Sequence, residues 1–282
     1  MKILVTGGVG FVGTNLIKKL LKENHEVVSI DNYYTGLKEN EQPGCTYINK
    51  DIRNIEELDK DFDVIFHLAA RARIQRSFQD PMETFNVNAY GTQVVAEFAR
   101  KNNIKIVYAG SSSKWCNPET SPYATSKKLG EDILKMYRTS FDCDFEIARF
   151  YNVYGPHELV NSEWGAVIGI WRNQLAEGLP LTIVGDGDQR RDFTHVEDIA
   201  DGLYRIALSE HKHEDAWELG TGKNHSINEL YSFFKERYPE AESKYIDDLP
   251  GNYRFTLRQN DDTLDKLNWN PTDRLKEYIT NL

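Results

Sequence analysis

Cysteine is scarce in this chain. Its 282 residues include three, Cys45, Cys116 and Cys143, which form neither a metal-ligand spacing nor an even set for disulfides. No metal site is therefore expected, and a reducing, cytoplasmic setting is the simplest reading. Long apolar runs are missing too: nothing approaches the ~18 residues that a membrane span needs. Positive charge is in deficit. With 34 Lys and Arg against 44 Asp and Glu, the net charge of −10 argues against general affinity for nucleic acid or an anionic membrane. An anionic ligand must then be met by individual arginines. Repeats, low-complexity tracts and long linkers are also lacking.

The most informative segment that is present opens the chain. Lys2-Ile3-Leu4-Val5-Thr6 reads as a short buried strand, followed by Gly7-Gly8-Val9-Gly10-Phe11-Val12-Gly13 and the helical pattern Leu16, Ile17, Leu20, Leu21. Glycines let the backbone turn tightly and let a pyrophosphate come close, while the helix N-terminus offers free N–H groups and partial positive charge. The spacing is G-x-x-G-x-x-G from Gly7, and Gly8 also starts a G-x-G-x-x-G. Because the turn sits at residue 7, no targeting peptide is expected ahead of it. The next strand, Glu26–Asp31, ends in a carboxylate about 20 residues after the glycines, where an acid accepts bonds from both adenosine ribose hydroxyls. Its charge would repel a 2′-phosphate, so Asp31 favours NAD over NADP. The plainer alternative is that Asp31 caps a turn before Asn32.

Strands then alternate with helices. Thr46–Asn49, Val64–His67, Ile104–Ala109 and Phe145–Arg149 read as strands, with helical patterns over Pro81–Asn102 and Pro122–Ser140. The alternation predicts an α/β fold: a doubly wound parallel Rossmann sheet with its ligand at the carboxyl ends of the strands. Beyond Gly155-Pro156 the rhythm loosens. Helices over Gly165–Glu177, Val196–Ser209, Ile227–Arg237 and Arg274–Thr280 mix with short strands such as Leu181–Val184. This predicts an NAD-binding domain over 1–155, rejoined near 190–220, and a smaller, discontinuous C-terminal substrate-binding lobe over 156–282. Trp164 and Trp171 fall seven apart, which fits one buried helix face.

Tyr123-Ala124-Thr125-Ser126-Lys127 places a phenol and an ammonium at i and i+4, on one helix face. A phenol has a reference pKa of about 10 and is a poor base near neutrality. A neighbouring Lys127 cation and the positive nicotinamide of NAD would lower it. Upstream, Tyr108-Ala109-Gly110-Ser111-Ser112-Ser113 closes a strand with hydroxyls at the ligand edge. Alone, a Y-x-x-x-K describes many solvated helix faces; the glycine turn, Asp31 and the strand-end serines give it chemical meaning.

With these residues in view the chain resembles the extended short-chain dehydrogenases/reductases of the NAD-dependent sugar-nucleotide epimerase/dehydratase family, close to the UDP-glucose 4-epimerases. The resemblance runs almost end to end: TGGVGFVG (6–13), DNYYTG (31–36), DI (51–52), HLAA (67–70), NAYGT (88–92), SSS (111–113), YATSK (123–127), RFYNVYGP (149–156), GDGDQRRDFTHVEDIADG (185–202), LGTG (219–222) and PGNYR (250–254). It implies that Gly7, Gly10, Phe11, Val12, Gly13, Asp31, Asn32, Asp51, Ile52, Leu68, Ala69, Ala70 and Asn88 serve NAD, joined by Tyr123 and Lys127. Tyr123 would be the acid/base, Lys127 its partner and ribose ligand, and Ser111 the hydroxyl beside the phenol. Ser111, Ser112, Ser113, Tyr123, Asn152, Arg191 and Arg254 would face a nucleotide-sugar substrate, with Asn152 and the two guanidinium forks on its diphosphate. For Arg191 and Arg254 the alternative is a surface salt bridge.

In this family Tyr123 would take the proton of the sugar 4-hydroxyl while hydride leaves C4 for NAD. Epimerases return the hydride to the other face of the 4-keto sugar; 4,6-dehydratases next eliminate water. The dehydratases typically carry Asp-Glu after the strand-end hydroxyl residue, where this chain has Ser112 and Ser113. Positioned acid–base groups typically contribute ~10²–10⁴-fold, so their absence favours C4 epimerisation, with a UDP-hexose as first substrate guess. A dehydratase, decarboxylase or reductase of the same family, or a non-catalytic nucleotide-sugar or NAD sensor, stays open. The intact Tyr123–Lys127 pair argues against a sensor.

Several features depart from the pattern. Lys114-Trp115-Cys116 replace the usual Val-Tyr-Gly; Lys114 reads as a solvated loop residue and Cys116 as packing. The basic run Arg71-Ala72-Arg73-Ile74-Gln75-Arg76 follows the strand end, and one of its arginines could approach substrate or NAD phosphate. His195 is expected to order the Arg191 loop, and His157 to have a structural or surface role. His211 and His213 lie in a charged loop with no further ligands. The helices carrying Val87, Val94, Val95 and Phe98, and Leu129, Ile133, Leu134, Met136 and Tyr137, pair in the family into a four-helix bundle across a homodimer; otherwise these residues only pack on their own sheet.

Overall fold

A computed structural model describes residues 1–160 and 164–282. In chain order the first half contains β1 (Lys2–Thr6), α1 (Phe11–Lys22), β2 (Glu26–Asp31), β3 (Cys45–Asn49), β4 (Val64–His67), α2 (Ile74–Gln79), α3 (Pro81–Phe85), α4 (Gly91–Asn102), β5 (Lys105–Ser111), α5 (Pro122–Phe141) and β6 (Phe145–Phe150). The second half continues with β7 (Asn152–Tyr154), α6 (Val167–Ala176), β8 (Leu181–Val184), β9 (Arg190–His195), α7 (Val196–Leu208), β10 (Trp217–Leu219), β11 (Asn224–Ser226), α8 (Ile227–Arg237), β12 (Ser243–Ile246), α9 (Asp262–Leu267) and α10 (Leu275–Thr280).

Seven parallel strands form the central sheet in the order β3-β2-β1-β4-β5-β6-β10. The fold is the doubly wound Rossmann type. Strand residues alternate between the two faces. Leu4 and Ile65 join a core with Val95, Phe98, Leu134 and Tyr137 of α4 and α5, whereas Ile3, Val5 and Phe66 meet Leu16, Ile17 and Leu20 of α1 and Ile199, Leu203 and Ile206 of α7. Burial on both faces explains why these strands are continuous apolar runs. β1 pairs with both β2 and β4, so strand order reverses there and leaves a crevice at the carboxyl ends. A third core joins Trp171, Leu181, Phe193, Leu230, Phe234, Leu275 and Ile279 beneath β11-β9-β7 and β12-β8.

Local chemistry sets the main boundaries. Ser121 caps α5 by accepting from Ala124 N–H, Pro122 supplies a preset first φ, and Asp142 ends the helix in the left-handed region at φ 55°. Ser226 and Glu229 form a capping box on α8. Three expectations are corrected here. The single helix over 81–102 is broken by a π turn at Asn86–Tyr90, and α2 precedes it within the basic run. Trp164 lies ahead of α6, while Trp171 alone is in its buried face. Lys114 is a structural ion-pair partner: it bonds Asp215 at 2.9 Å. His195 serves α7 as N-cap, accepting from Glu197 N–H.

Lys114 belongs to a cluster around Arg149. That guanidinium is fully buried and grips Glu131 at 3.0 and 2.8 Å and Asp215 at 2.5 and 2.8 Å. Lys135 also bonds Asp215, whose carboxyl is held well below the usual range by Arg149. The cluster ties α5 to β6 and to the segment entering β10. Arg149→Leu leaves the buried Glu131 with only Lys114, at 3.9 Å, as a counter-charge, so it is expected to cost about 3–5 kcal/mol. Urea unfolding checks this; an unchanged midpoint would contradict the assignment.

Candidate functional site

A cavity of about 660 Å³ lies at the carboxyl ends of the strands. At one end, Gly10 is the N-cap of α1; no side chain caps it and no carboxylate occupies the first turn. The N–H groups beginning at Phe11 and Val12 are left for a ligand. Gly7 holds φ +75°, and a Cβ there would meet the Ala69 backbone at 2.9 Å; a Cβ on Gly13 would lie 2.2 Å from Gly7 O. Two strand-end loops thus pack backbone on backbone beside the helix terminus. Thr6 Oγ1 reinforces the contact, accepting from Ala69 N–H at 3.1 Å. His67 bonds Thr6 at 2.8 Å and Thr92 at 3.1 Å, and burial pushes its pKa down to about 3, so it is a neutral tie between elements.

Asp31 lines the cavity at the end of β2 and accepts from Val9 and Tyr33 N–H at 3.2 and 2.8 Å. Burial raises its pKa, and these two donors oppose the rise. Asn32 donates to Asp51 at 3.2 Å; Arg53 holds Asp51 below its usual pKa and also pairs with Glu83 at 3.1 Å. Ile52, Leu68, Ala69 and Ala70 complete this end. An uncapped helix terminus beside an acid at a strand end fits a dinucleotide with a free ribose diol.

At the other end, Tyr123 projects from the first turn of α5 towards Ser111 at the end of β5, and both line the cavity with Ser112 and Ser113. Ser111 Oγ accepts from Ser113 N–H at 3.2 Å and Ser113 O–H at 2.8 Å. Burial raises the phenol above its ordinary pKa, while Ser111 and Arg73 draw it down. The sequence expectation placed the Lys127 cation and bound NAD in this role. Lys127 lies one turn deeper, with its ammonium 4.2 Å from the centre of the Tyr108 ring. Burial lowers its own pKa to about 7 against the pull of Glu131.

Lys127 and Asn88 stand behind the cavity wall. Asn88, in the π turn, accepts from Arg71 N–H at 2.8 Å, donates to Arg71 O at 3.1 Å and donates to Ser126 at 3.0 Å, which fixes the loop after β4. Asn152 on β7 and Arg191 on β9 line the opposite side; Arg191 donates to Asn252 at 2.7 Å. Arg254 is not brought to the cavity. Its exposed side chain pairs with Asp186 at 2.7 Å. His157 bonds Asn40 at 2.9 Å, away from the cavity lining. Sequence reasoning missed Tyr34, Glu158, Trp164 and Tyr253, which also line the site. Tyr34 and Tyr253 stood in view within DNYYTG and PGNYR; Glu158 and Trp164 carry no local signal. Among the described residues, no three His, Cys, Asp or Glu side chains gather as a metal would require.

The family profile described as the NAD dependent epimerase/dehydratase family matches residues 3–220. The chain belongs to this family. Its cofactor is NAD, and the uncapped α1 terminus and Asp31 would fit that group. Among relatives, a UDP-glucose 4-epimerase of Mycolicibacterium smegmatis is 32% identical, covering 99% of this chain and 96% of that protein. UDP-glucuronic acid decarboxylase 1 of Arabidopsis thaliana is 29% identical, covering 99% of this chain and 68% of that protein. The solved UDP-glucose 4-epimerase of Thermus thermophilus in complex with NAD superposes with TM-score 0.89 at 29% identity, covering 99% and 97% of the two chains.

For this member of the family, Asp31→Ala should remove ribose bonds to a charged acceptor and weaken NAD binding by ~10–100-fold. NADP binding should weaken less or improve. Calorimetric titration of both dinucleotides checks this, and an unchanged NAD-to-NADP ratio would contradict the role of Asp31.

Proposed function

We propose that the protein epimerises a nucleotide-diphosphate sugar, of the UDP-hexose kind, at C4 through a transient 4-keto intermediate. The observation that carries this reading is the environment of Tyr123. Ser111 and Arg73 bear on its phenol, and Glu158, the carboxyl that shares the cavity with Arg73, does not. Ser112 and Ser113 occupy the adjoining positions, and Glu131 behind the strand is spent on Arg149. A phenol can take and return one proton; it cannot by itself run the second acid–base step that elimination requires.

Tyr123 removes the proton from the sugar 4-hydroxyl, and Ser111 shares a hydrogen bond with that oxygen. NAD, when bound, would supply the acceptor and donor for the C4 hydride and a positive charge that favours phenolate. Asn152 and Arg191 hold the diphosphate while the sugar turns, and Tyr123 then returns its proton. Arg254 reaches the diphosphate only by leaving Asp186. In this reading residues 1–155, with 190–220, carry the cofactor and 156–282 supply the substrate lobe. Decarboxylases among the relatives keep a second outcome under test. The three free cysteines fit a cytoplasmic enzyme.

Incubation with UDP-glucose, UDP-galactose and their N-acetyl and uronic forms, read by NMR, should give C4 epimers. A 4-keto-6-deoxy product would overturn the proposal. Tyr123→Phe should keep NAD bound and lose ~10²–10⁴-fold in turnover.

We also propose a homodimer through α4 and α5. Val95, Phe98, Leu134 and Tyr137 are consumed by the chain's own core, but Tyr90, Leu129, Met136 and Phe141 stay exposed on these helices and the turn before them. Light scattering at low concentration should give twice the chain mass. Met136→Glu should shift it to the monomer, and a wild-type monomer would remove the claim.

A further inference from the structure

Three arginines line the cavity, and they are committed differently. Arg191 lies on β9, bonded to Asn252. Arg71 pairs with Asp80 at 3.3 Å and covers the Tyr34 ring at 4.1 Å. Arg73 has no carboxylate partner among the described residues. Its Nε donates to the Trp164 carbonyl and its Nη1 to the Ala72 carbonyl, so two backbone oxygens fix the guanidinium. Nη2 donates to nothing among the described residues. Arg73 is also the cation that bears on the Tyr123 phenol, so it stands at the reacting end of the cavity.

A carboxyl shares this wall. Glu158 is 7% exposed, and neither of its oxygens has a hydrogen-bond partner. It is wedged against α6, where a Cβ on Gly169 would lie 3.2 Å from Oε1. Burial raises its pKa to about 7 against the pull of Arg172 and Arg73. It makes no ion pair with Arg73, and below neutral pH it is mostly protonated. Arg73 is therefore a held, half-buried cation, in a chain of net charge −10, with no carboxylate bonded to it among the described residues.

We infer that Arg73 seats a carboxylate carried on the sugar ring, and that the substrate class is the nucleotide-diphosphate uronic acids in preference to neutral hexoses. This rests on the proposed reading only in setting the sugar beside Tyr123. Arg191 and Asn152 already serve the diphosphate, so a guanidinium near Tyr123 meets a ring substituent. The Nη2 group of Arg73 can donate a charge-assisted bond to such a carboxylate.

The test is calorimetric titration of the NAD-loaded protein with UDP-glucuronic acid and UDP-glucose, with NMR identification of products. The wild type should favour the uronate by ~30-fold or more, the scale of a buried charge pair. Arg73→Ala should bring the ratio close to one, and Arg73→Lys should restore part of it. The inference is overturned if the wild type shows no preference, if Arg73→Ala weakens both sugars equally, or if its main loss is in NAD affinity. If Arg73-dependent uronate binding ends in carbon dioxide and a pentose, the inference stands and C4 epimerisation fails. If a neutral sugar is inverted with no uronate preference, epimerisation stands and the inference fails.

Discussion

Helix α5 lies so close to strand β5 that neither surface has room for another carbon at two places. A Cβ on Gly130 would sit 2.3 Å from the Tyr108 hydroxyl, and one on Gly110 would sit 2.9 Å from Glu131 Oε1. This contact sets the chemistry. It brings the first turn of α5 level with the end of β5, so that Tyr123 and Ser111 face one another, and it sinks Lys127 onto the Tyr108 ring. The buried Arg149–Glu131 pair locks the same helix to β6. Burial then works in opposite senses on the two titrating groups, raising the phenol and lowering the ammonium. Both move towards the uncharged form. The site is therefore poised to respond to whatever positive charge a ligand brings.

The rest of the cleft follows from how an acidic protein accommodates anions. It does so with few cations, each given a specific support. The α1 terminus contributes backbone N–H groups and no side-chain charge. Arg71 is steadied by Asp80 and Tyr34, Arg191 by Asn252, and Arg73 by backbone carbonyls. These cations are local and oriented, which suits recognition of one ligand better than general attraction of polyanions.

Much of this was legible in the sequence because it depends on local rules. Continuous apolar runs marked the doubly buried strands; the glycine turn, the acid closing β2 and the Tyr123–Lys127 spacing marked the cleft. The features that were not legible arise across distance. The π turn holding Asn88 interrupts a periodic pattern that reads as one helix, because an inserted residue leaves the hydrophobic spacing nearly intact. Lys114 looked like a loop residue because Asp215 lies far along the chain. Trp164 looked helical because its spacing to Trp171 matches a turn count, although α6 begins only at Val167. Arg254 belongs to a motif, yet its side chain rests on Asp186. Glu158 gives no signal at all, since an unpartnered acid becomes conspicuous only once its surroundings are known.

The most direct measurement follows the hydrogen on C4. A UDP-sugar carrying deuterium at that carbon should give both C4 epimers with the label still on C4 when turnover is run in ordinary water, because Tyr123 exchanges only the hydroxyl proton. Label lost to solvent from C4 during inversion, or label found elsewhere on the sugar, would contradict the account.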